Sequence, residues 1–226
     1  MTPKLDNFSA QDPPLVVEDW GRSEYAVALD RQLDRVRQRR EMEIPDTFAF
    51  TEHSPVYTYG VRKSAESHLL WNEAQLRERQ IQIHKTRRGG DITFHGPGQI
   101  VGYPFVALEG NRKDLHAYLR ILEETVIQSL QSFGLTSGRR EGMTGVWVGR
   151  RKICAIGVGV KHWITYHGFA LNVNTDLSYF EGIVPCGITD GTVTSLEKEL
   201  GKGIDTEGVK EILVSRFYQL FYSKSQ

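Results

Sequence analysis

The segment Arg87-Arg88-Gly89-Gly90-Asp91-Ile92-Thr93-Phe94-His95-Gly96-Pro97-Gly98-Gln99 constrains the fold more than any other stretch of the chain. Four glycines and a proline, against Ile92 as the lone aliphatic side chain, make it a poor strand and a worse helix. It stands between an alternating run, Ile81 to Lys85, and an apolar run, Ile100 to Leu108, both of which read as strands. The fold must therefore hold two strands joined by a long loop whose bare backbone can approach a ligand. Fixing such a loop is expensive in backbone entropy, and a loop that only connects does not require it. With Arg87, Arg88 and His95 inside it, the segment is read as ligand-facing; a tight structural turn with incidental charges is the alternative.

The rest of the chain supplies the elements around that loop. Arg22 to Arg40 predicts a helix with Ala26, Leu29, Leu33 and Val36 on its inner face. Thr47 to Thr51 and Val56 to Tyr59 read as strands separated by a Ser54-Pro55 turn. Asn72 is the expected N-cap of a short helix reaching Gln80. Asp114 caps a long one to about Phe133, with Leu115, Leu119, Leu122, Val126 and Leu130 inward and Gly134 as its stop. Val146 to Val148, Lys152 to Val160 and Trp163 to Val173 predict three sequential antiparallel strands, the first two joined by a tight Gly149-Arg150 turn. Glu207 to Phe221 forms a last amphipathic helix. Helices at both ends and mid-chain, with strands arriving in runs, predict an α+β domain whose helices pack on a mainly antiparallel mixed sheet. Residues 1–14, polar and closed by a double proline, read as a flexible arm ahead of a single domain over 15–226.

Bulk properties exclude several classes of function. Lys plus Arg equals Asp plus Glu at 28 each, so no net charge points to nucleic acid or an anionic membrane. No apolar run approaches a membrane span, and the N-terminus lacks the apolar core of a signal peptide. The two cysteines, without C-x-x-C spacing, fit a reducing cytosol better than a disulfide scaffold. The seven histidines are scattered, and none has zinc-ligand spacing to a cysteine, so no metal is expected. There is no phosphate-binding G-x-x-x-x-G-K-[ST] run, and Gly157-Val158-Gly159 lacks the third glycine of a dinucleotide fingerprint. No conspicuous apolar stripe is left over, which makes a monomer the default.

A cysteine and a lysine carry the candidate chemistry. Cys186 lies in Val184-Pro185-Cys186-Gly187-Ile188, a context suited to a turn that exposes the sulfur in a cleft; a buried, inert thiol is the alternative. Lys152 enters the glycine-spaced apolar strand Ile153-Cys154-Ala155-Ile156-Gly157-Val158-Gly159, where it is either partly desolvated or a strand-edge lysine pointing to water. A thiol is weakly ionised at neutral pH and needs a base or a nearby cation, and a lysine can supply either. Cys154 shares a face with Lys152 if the strand is regular, so spacing alone does not dismiss it.

Read in order, these segments resemble the lipoate-protein ligase B family, the octanoyl-carrier-protein:protein octanoyltransferases. The resemblance rests on Arg88-Gly89-Gly90, Thr93, His95-Gly96-Pro97-Gly98-Gln99, Tyr103-Pro104 and Gly145-Val146-Trp147. It continues through Lys152-Ile153, Ala155-Ile156-Gly157, His167 to Asn172, Pro185 to Ile188 and Val193 to Leu196. It implies the fold shared by lipoate ligase A and biotin ligase catalytic domains. It further implies Cys186 as nucleophile, Lys152 as its proton-handling partner and Cys154 as a core residue. By the same resemblance Arg88, Gly89, Gly90, Asp91, Ile92, Thr93, Phe94 and His95 line the acyl site, together with Ala155, Ile156, Gly157, Gly168, Phe169 and Ala170.

The implied reaction moves an octanoyl group from octanoyl-acyl carrier protein through a Cys186 thioester to a lysine ε-amine. The implied acceptors are the apo lipoyl domains of 2-oxoacid dehydrogenase complexes and the glycine cleavage H protein. No cofactor and no ATP are needed, because the thioester carries the activation. Arg87 and Phe94 depart from the family's usual residues, which touches loop contacts rather than the reaction. An ATP-dependent lipoate or biotin ligase on the same fold is the nearest rival, but it needs no cysteine nucleophile. A non-catalytic carrier-binding adaptor would be free to lose Lys152 or Cys186, and both are present. A cysteine hydrolase would need His95 or His167 as base, and neither spacing is diagnostic.

Overall fold

The structure is a computed structural model that describes residues 15–185 and 192–222. The N-terminal arm and Cys186 lie outside the described residues. In chain order the elements begin with β1 (Leu15–Ser23), α1 (Tyr25–Arg40), β2 (Asp46–His53), β3 (Val56–Tyr59), α2 (Glu73–Glu78), β4 (Gln82–Lys85), β5 (Thr93–His95) and β6 (Gln99–Phe105). They continue with α3 (Leu115–Ser132), β7 (Gly138–Arg140), β8 (Met143–Val148), β9 (Arg151–Lys161), β10 (Ile164–Asn172), β11 (Thr192–Val193), α4 (Leu196–Leu200) and α5 (Thr206–Tyr222).

The large sheet runs β1-β2-β6-β10-β9-β8-β7, antiparallel throughout except for the parallel pair β1–β2, with β11 added parallel to β9. A small sheet, β4-β3-β5, stands apart. One face of the large sheet packs on α3 and α5, where Leu122, Val126, Leu213 and Phe217 meet Phe48, Phe50, Phe169 and Leu171. The other face carries α1 through Val36, against Ala49, Val101, Tyr103 and Ala170. With both faces covered, the central strands β6 and β10 are buried along their whole length. The small sheet has its own apolar cluster around Tyr57, Ile92, Phe94 and Phe180. A slot is left between this small sheet, α1 and the middle of β9 and β10.

The α+β class, the antiparallel run β8–β9–β10 and the four helices expected at α1, α2, α3 and α5 agree with the sequence reading; the short α4 was not expected. The capping box at Asn72 and Gln75 and the Asp114 cap, which accepts from the His116 and Ala117 amides, are formed as their side chains predict. Four expectations are corrected. β1 occupies Leu15–Ser23, so the first helix starts at Tyr25 rather than Arg22. Its buried face is Tyr25, Ala28, Gln32 and Val36; Ala26 and Leu33 are exposed, because a polar Gln32 and an aromatic Tyr25 take the inward turns. The glycine-rich segment contains a strand after all: Thr93-Phe94-His95 pairs with β3, since its β-branched and aromatic residues outweigh the flanking glycines over that short span. The third strand of the antiparallel run starts at Ile164 rather than Trp163, because His162 and Trp163, at φ 55° and 63°, form the hairpin turn itself.

Candidate active site

Lys152 is placed by an irregularity in β9. Val146 stands opposite Cys154 and Trp147 opposite Lys152, so one step along β8 matches two along β9 and Ile153 has no partner. This is a β-bulge, and a bulge re-aims the side chains on either side of it. Ile153 and Cys154 both enter the core on the α3–α5 face, each fully buried. Lys152 is turned to the opposite face, so the shared face expected of a regular strand is not what forms. There it is 5 % exposed, its Nζ lies 5.1 Å from the centre of the Trp147 ring, and Gly145 provides the space for its stem. Burial pushes the Cys154 thiol up and outweighs the opposing effect of Lys152, which leaves Cys154 an inert thiol at neutral pH.

β10 leaves β9 at Cys154, and β11 takes its place: Thr192 pairs with Arg151 and Val193 with Lys152. Lys152 therefore sits between β8 and β11. Its side chain lines a small cavity with Thr93, Gln99, Asn172, Phe180, Pro185 and Val193, bordered also by Cys154. Pro185 is the residue before Cys186, and β11 begins shortly after it. Both ends of the cysteine segment thus reach the cavity that holds the lysine.

Thr93, Ala155 and Ala170 are shared with a second, longer slot that continues between the sheet and α1. Its walls are Val101, Ile156, Gly157, Gly168 and Phe169 from the large sheet, Arg88, Gly90 and His95 from the loop side, and Tyr25, Tyr103 and His167 farther in. Gly157 and Gly168 keep it open and the loop close: a Cβ at Gly157 would stand 2.6 Å from the Gly89 oxygen, and one at Gly168 would strike the Gly102 oxygen. The wall is mostly apolar carbon, suited to a hydrocarbon chain.

Arg88 is 7 % exposed and spends its donors on the fold: Nη2 to the Thr58 and Asp91 carbonyls at 2.6 and 2.8 Å, Nε to Thr58 Oγ1 at 3.2 Å and Nη1 to the Gly89 carbonyl at 3.0 Å. It organises the loop around itself, as its unchangeable charge and planar fork allow. His95 is buried, and its Nδ1 lies 2.9 Å from Gln99 Oε1, which fixes that nitrogen as the donor. Burial, followed by the nearby His53 and Arg88, holds its pKa well below the ordinary value, so it is neutral. His167 is in the left-handed region at φ 56°, and burial lowers its pKa to about 3.

Of the residues expected to line the acyl site, Arg88, Gly90, Thr93, His95, Ala155, Ile156, Gly157, Gly168, Phe169 and Ala170 border the slot. Gly89, Asp91, Ile92 and Phe94 do not. Gly89 ties the loop to β9 through Val158, Asp91 is fully buried and accepts from His68 Nδ1 at 2.9 Å, and Ile92 and Phe94 fill the small sheet's core. Tyr25, Val101, Tyr103, His167, Gln99 and Asn172 join the two cavities without having been expected as lining residues. The alternation of β6 carries a signal for Val101 and Tyr103; Tyr25 is hidden by the misphased helix. Among the described residues no group of three His, Cys, Asp or Glu side chains could hold a metal, and no helix is long and apolar enough to cross a membrane.

Comparison with known proteins identifies the family and the fold. Residues 23–218 match the lipoyl protein ligase A/B catalytic domain. The chain is 48 % identical over 210 residues to an octanoyltransferase of Flavobacterium psychrophilum, covering 90 % of each chain. It is 51 % identical over 201 residues to the octanoyltransferase of Rubrobacter xylanophilus, covering 88 % of this chain and 90 % of that one. Among solved structures, lipoate-protein ligase A bound with ATP superposes with a TM-score of 0.71 at 15 % identity, over 93 % of this chain and 85 % of the other. The biotin protein ligase of Aquifex aeolicus has the fold more distantly, at a TM-score of 0.51 and 13 % identity over 94 % of this chain and 72 % of its own. The chain belongs to the lipoyl protein ligase A/B catalytic domain family, and within it shares about half its residues with octanoyltransferases.

Proposed function

We propose that this chain is an acyltransferase that moves an octanoyl group from octanoyl-acyl carrier protein to a lysine ε-amine of a lipoyl domain, by way of a Cys186 thioester. One observation carries the reading: the buried Lys152 and Pro185, next to Cys186, line one cavity, and that cavity adjoins an apolar slot with which it shares Thr93, Ala155 and Ala170. The slot suits the acyl chain, and the lysine end suits the chemistry.

In the first half-reaction the Cys186 sulfur forms a bond to the octanoyl carbonyl carbon as the carrier's thiolate leaves. Lys152 takes the cysteine proton and returns it to the departing thiol. One thioester replaces another, so the step is nearly balanced. In the second, the ε-amine of the acceptor lysine attacks the same carbon, an amide forms, and the Cys186 sulfur is expelled and reprotonated. The amide is the more stable product and draws the sequence forward without ATP. The proposed acceptors are the lipoyl domains of 2-oxoacid dehydrogenase complexes and the glycine cleavage H protein, and the proposed setting is the cytoplasm. Arg88 acts by shaping the loop over the slot rather than by proton transfer, since its guanidinium stays charged.

The reading is tested by mixing the purified protein with octanoyl-acyl carrier protein in the absence of ATP and following transfer to an apo lipoyl domain. Transfer that disappears in Cys186→Ser and persists in Cys154→Ser is the expected outcome. Transfer that requires free octanoate and ATP would instead make the chain a ligase of the same fold.

A further inference from the structure

We propose that Gln99 and Asn172 are positioning residues for Lys152, acting through the short strand β11; the inference rests on the proposed thioester chemistry. Both amides are buried, at 2 % and 4 % exposure, and both line the Lys152 cavity. Gln99 Nε2 donates to Asn172 Oδ1 at 2.8 Å and to the Phe94 carbonyl at 3.2 Å, which uses both of its hydrogens. Asn172 Nδ2 donates to the Thr194 carbonyl at 3.0 Å, and the Thr194 amide donates to the Lys152 carbonyl at 2.9 Å. On its other side Gln99 Oε1 accepts from His95 Nδ1, and His95 Nε2 faces Thr58 Oγ1, the hydroxyl that Arg88 also holds.

The result is one unbroken run of bonds from the loop over the acyl slot to the main chain of the lysine. Every side-chain amide in it has its orientation dictated by its partners, so the run is rigid. Its position is informative. β11 pairs with β9 only at Thr192, opposite Arg151, and Val193, opposite Lys152, a contact too short to hold register by itself. Asn172 stands at the point where β10 ends, and its side chain bridges the gap to the strand that replaces it. Thr194 is secured a second time, by Oγ1 to Glu199 Oε1 at 2.6 Å, and Glu199 in turn binds Arg151 at 2.7 Å. Those outer bonds hold β11 against Arg151; the Asn172 bond holds it against the lysine side of the strand. Loss of Asn172 leaves β11 attached but free to shift relative to Lys152.

The test is the single-turnover rate of thioester formation with octanoyl-acyl carrier protein, followed from neutral to alkaline pH. The proteins compared are the parent, Asn172→Ala, Gln99→Ala, Lys152→Ala and the Asn172→Ala/Lys152→Ala pair, with thermal midpoints recorded beside each. A shift of about an ångström in a reacting group slows such a step roughly 100-fold, and that is the expected loss in Asn172→Ala, at an unchanged half-saturating donor concentration. Its pH profile should move toward that of Lys152→Ala, and in the Lys152→Ala background the same substitution should add almost nothing. Gln99→Ala should act in the same direction and less strongly, and it stands in for Asn172→Ala if that variant does not fold. A full additive loss with the parent's pH profile, or a parent-like rate in both single variants, would overturn the positioning role. A parent that forms no thioester under any condition would instead overturn the transferase reading, and this inference would fall with it.

Discussion

At the residue scale the account turns on one lysine. Lys152 is a long side chain held at 5 % exposure, and its Nζ faces the Trp147 ring in a cavity that Pro185 also lines. Lys152→Ala should leave Cys186 in place but without its proton partner; loss of a positioned general base typically slows a reaction by about two to four orders of magnitude. The loss should appear in kcat with KM for the donor little changed, and single-turnover acylation reads it directly. Equal activity in Lys152→Ala would transfer the role of base to His95 or His167. Lys152 and Cys186 were singled out in the sequence through the motifs that carry the family resemblance; the burial of Lys152 is visible only in the fold, and Cys186 lies outside the described residues. Asn172 and Gln99 were also in those motifs, yet their partnership spans 73 positions and follows only from the folded pairing of β6 with β10. A hydrogen bond between two amides leaves no local signature in composition or periodicity.

At the element scale the β9 bulge is the device that separates Lys152 from Cys154. Counting alternate residues along a regular strand puts the two on one face; the unpaired Ile153 puts them on opposite faces. Nothing in Arg151 to Ala155 announces the extra residue, because all three of Ile153, Cys154 and Ala155 are plausible on either side of a sheet buried on both faces. Gly145 is the complementary element. Its φ of +133° disfavours any side chain, and a Cβ there would stand 2.6 Å from Lys152 Cε and 2.7 Å from the Cys154 oxygen. Gly145→Ala should therefore destabilise by about 1–3 kcal/mol, as overpacking does, and should displace the lysine as well. Urea titration checks the first effect. The second appears as a fall in acylation rate larger than that in Gly149→Ala, whose site is open and which serves as the control for a strained turn glycine. A Gly145→Ala protein that acylates at the parent rate would remove the glycine from the account of how Lys152 is placed. The loop strand β5 shows the same limit of local reading: three residues with strand propensity were outvoted by the glycines around them, and only the partner β3 makes the strand visible.

At the scale of the whole molecule, the slot lies between two sheets and a helix, and burying its far wall has a consequence for acid stability. His95 and His167 line it, His53 packs against His95, and all three are buried. Burial lowers His53 to about 4 and His167 to about 3, and burial together with His53 and Arg88 lowers His95. In the unfolded chain these groups take up protons near the ordinary value of 6.5. Below that pH the unfolded state binds more protons than the folded one, so stability decreases as pH falls through the window from 6.5 toward 4, and for His167 on to 3. Each group contributes a slope of up to about 1.4 kcal/mol per pH unit while it remains neutral in the fold. Urea midpoints taken at mildly acidic and neutral pH should fall steeply on acidification, and His53→Gln should flatten the dependence. A midpoint indifferent to pH between neutrality and about 5 would mean that these imidazoles are hydrated in solution. The overall α+β architecture, the antiparallel run β8–β9–β10 and the helix caps at Asn72 and Asp114 were readable from periodicity and capping residues. The partition of β2 and β3 into two different sheets was not, since a Ser54-Pro55 turn reads the same whether it closes a hairpin or hands the chain from one sheet to another.

The central claim is that a cysteine carries the acyl group beside Lys152, and intact mass spectrometry tests it most directly. The protein is mixed with octanoyl-acyl carrier protein without ATP, alongside Cys186→Ser and Cys154→Ser. The account predicts one octanoyl adduct on the parent and on Cys154→Ser, none on Cys186→Ser, and discharge of the adduct by an apo lipoyl domain. An adduct that survives in Cys186→Ser and vanishes in Cys154→Ser would place the chemistry on the other face of the sheet and contradict the account.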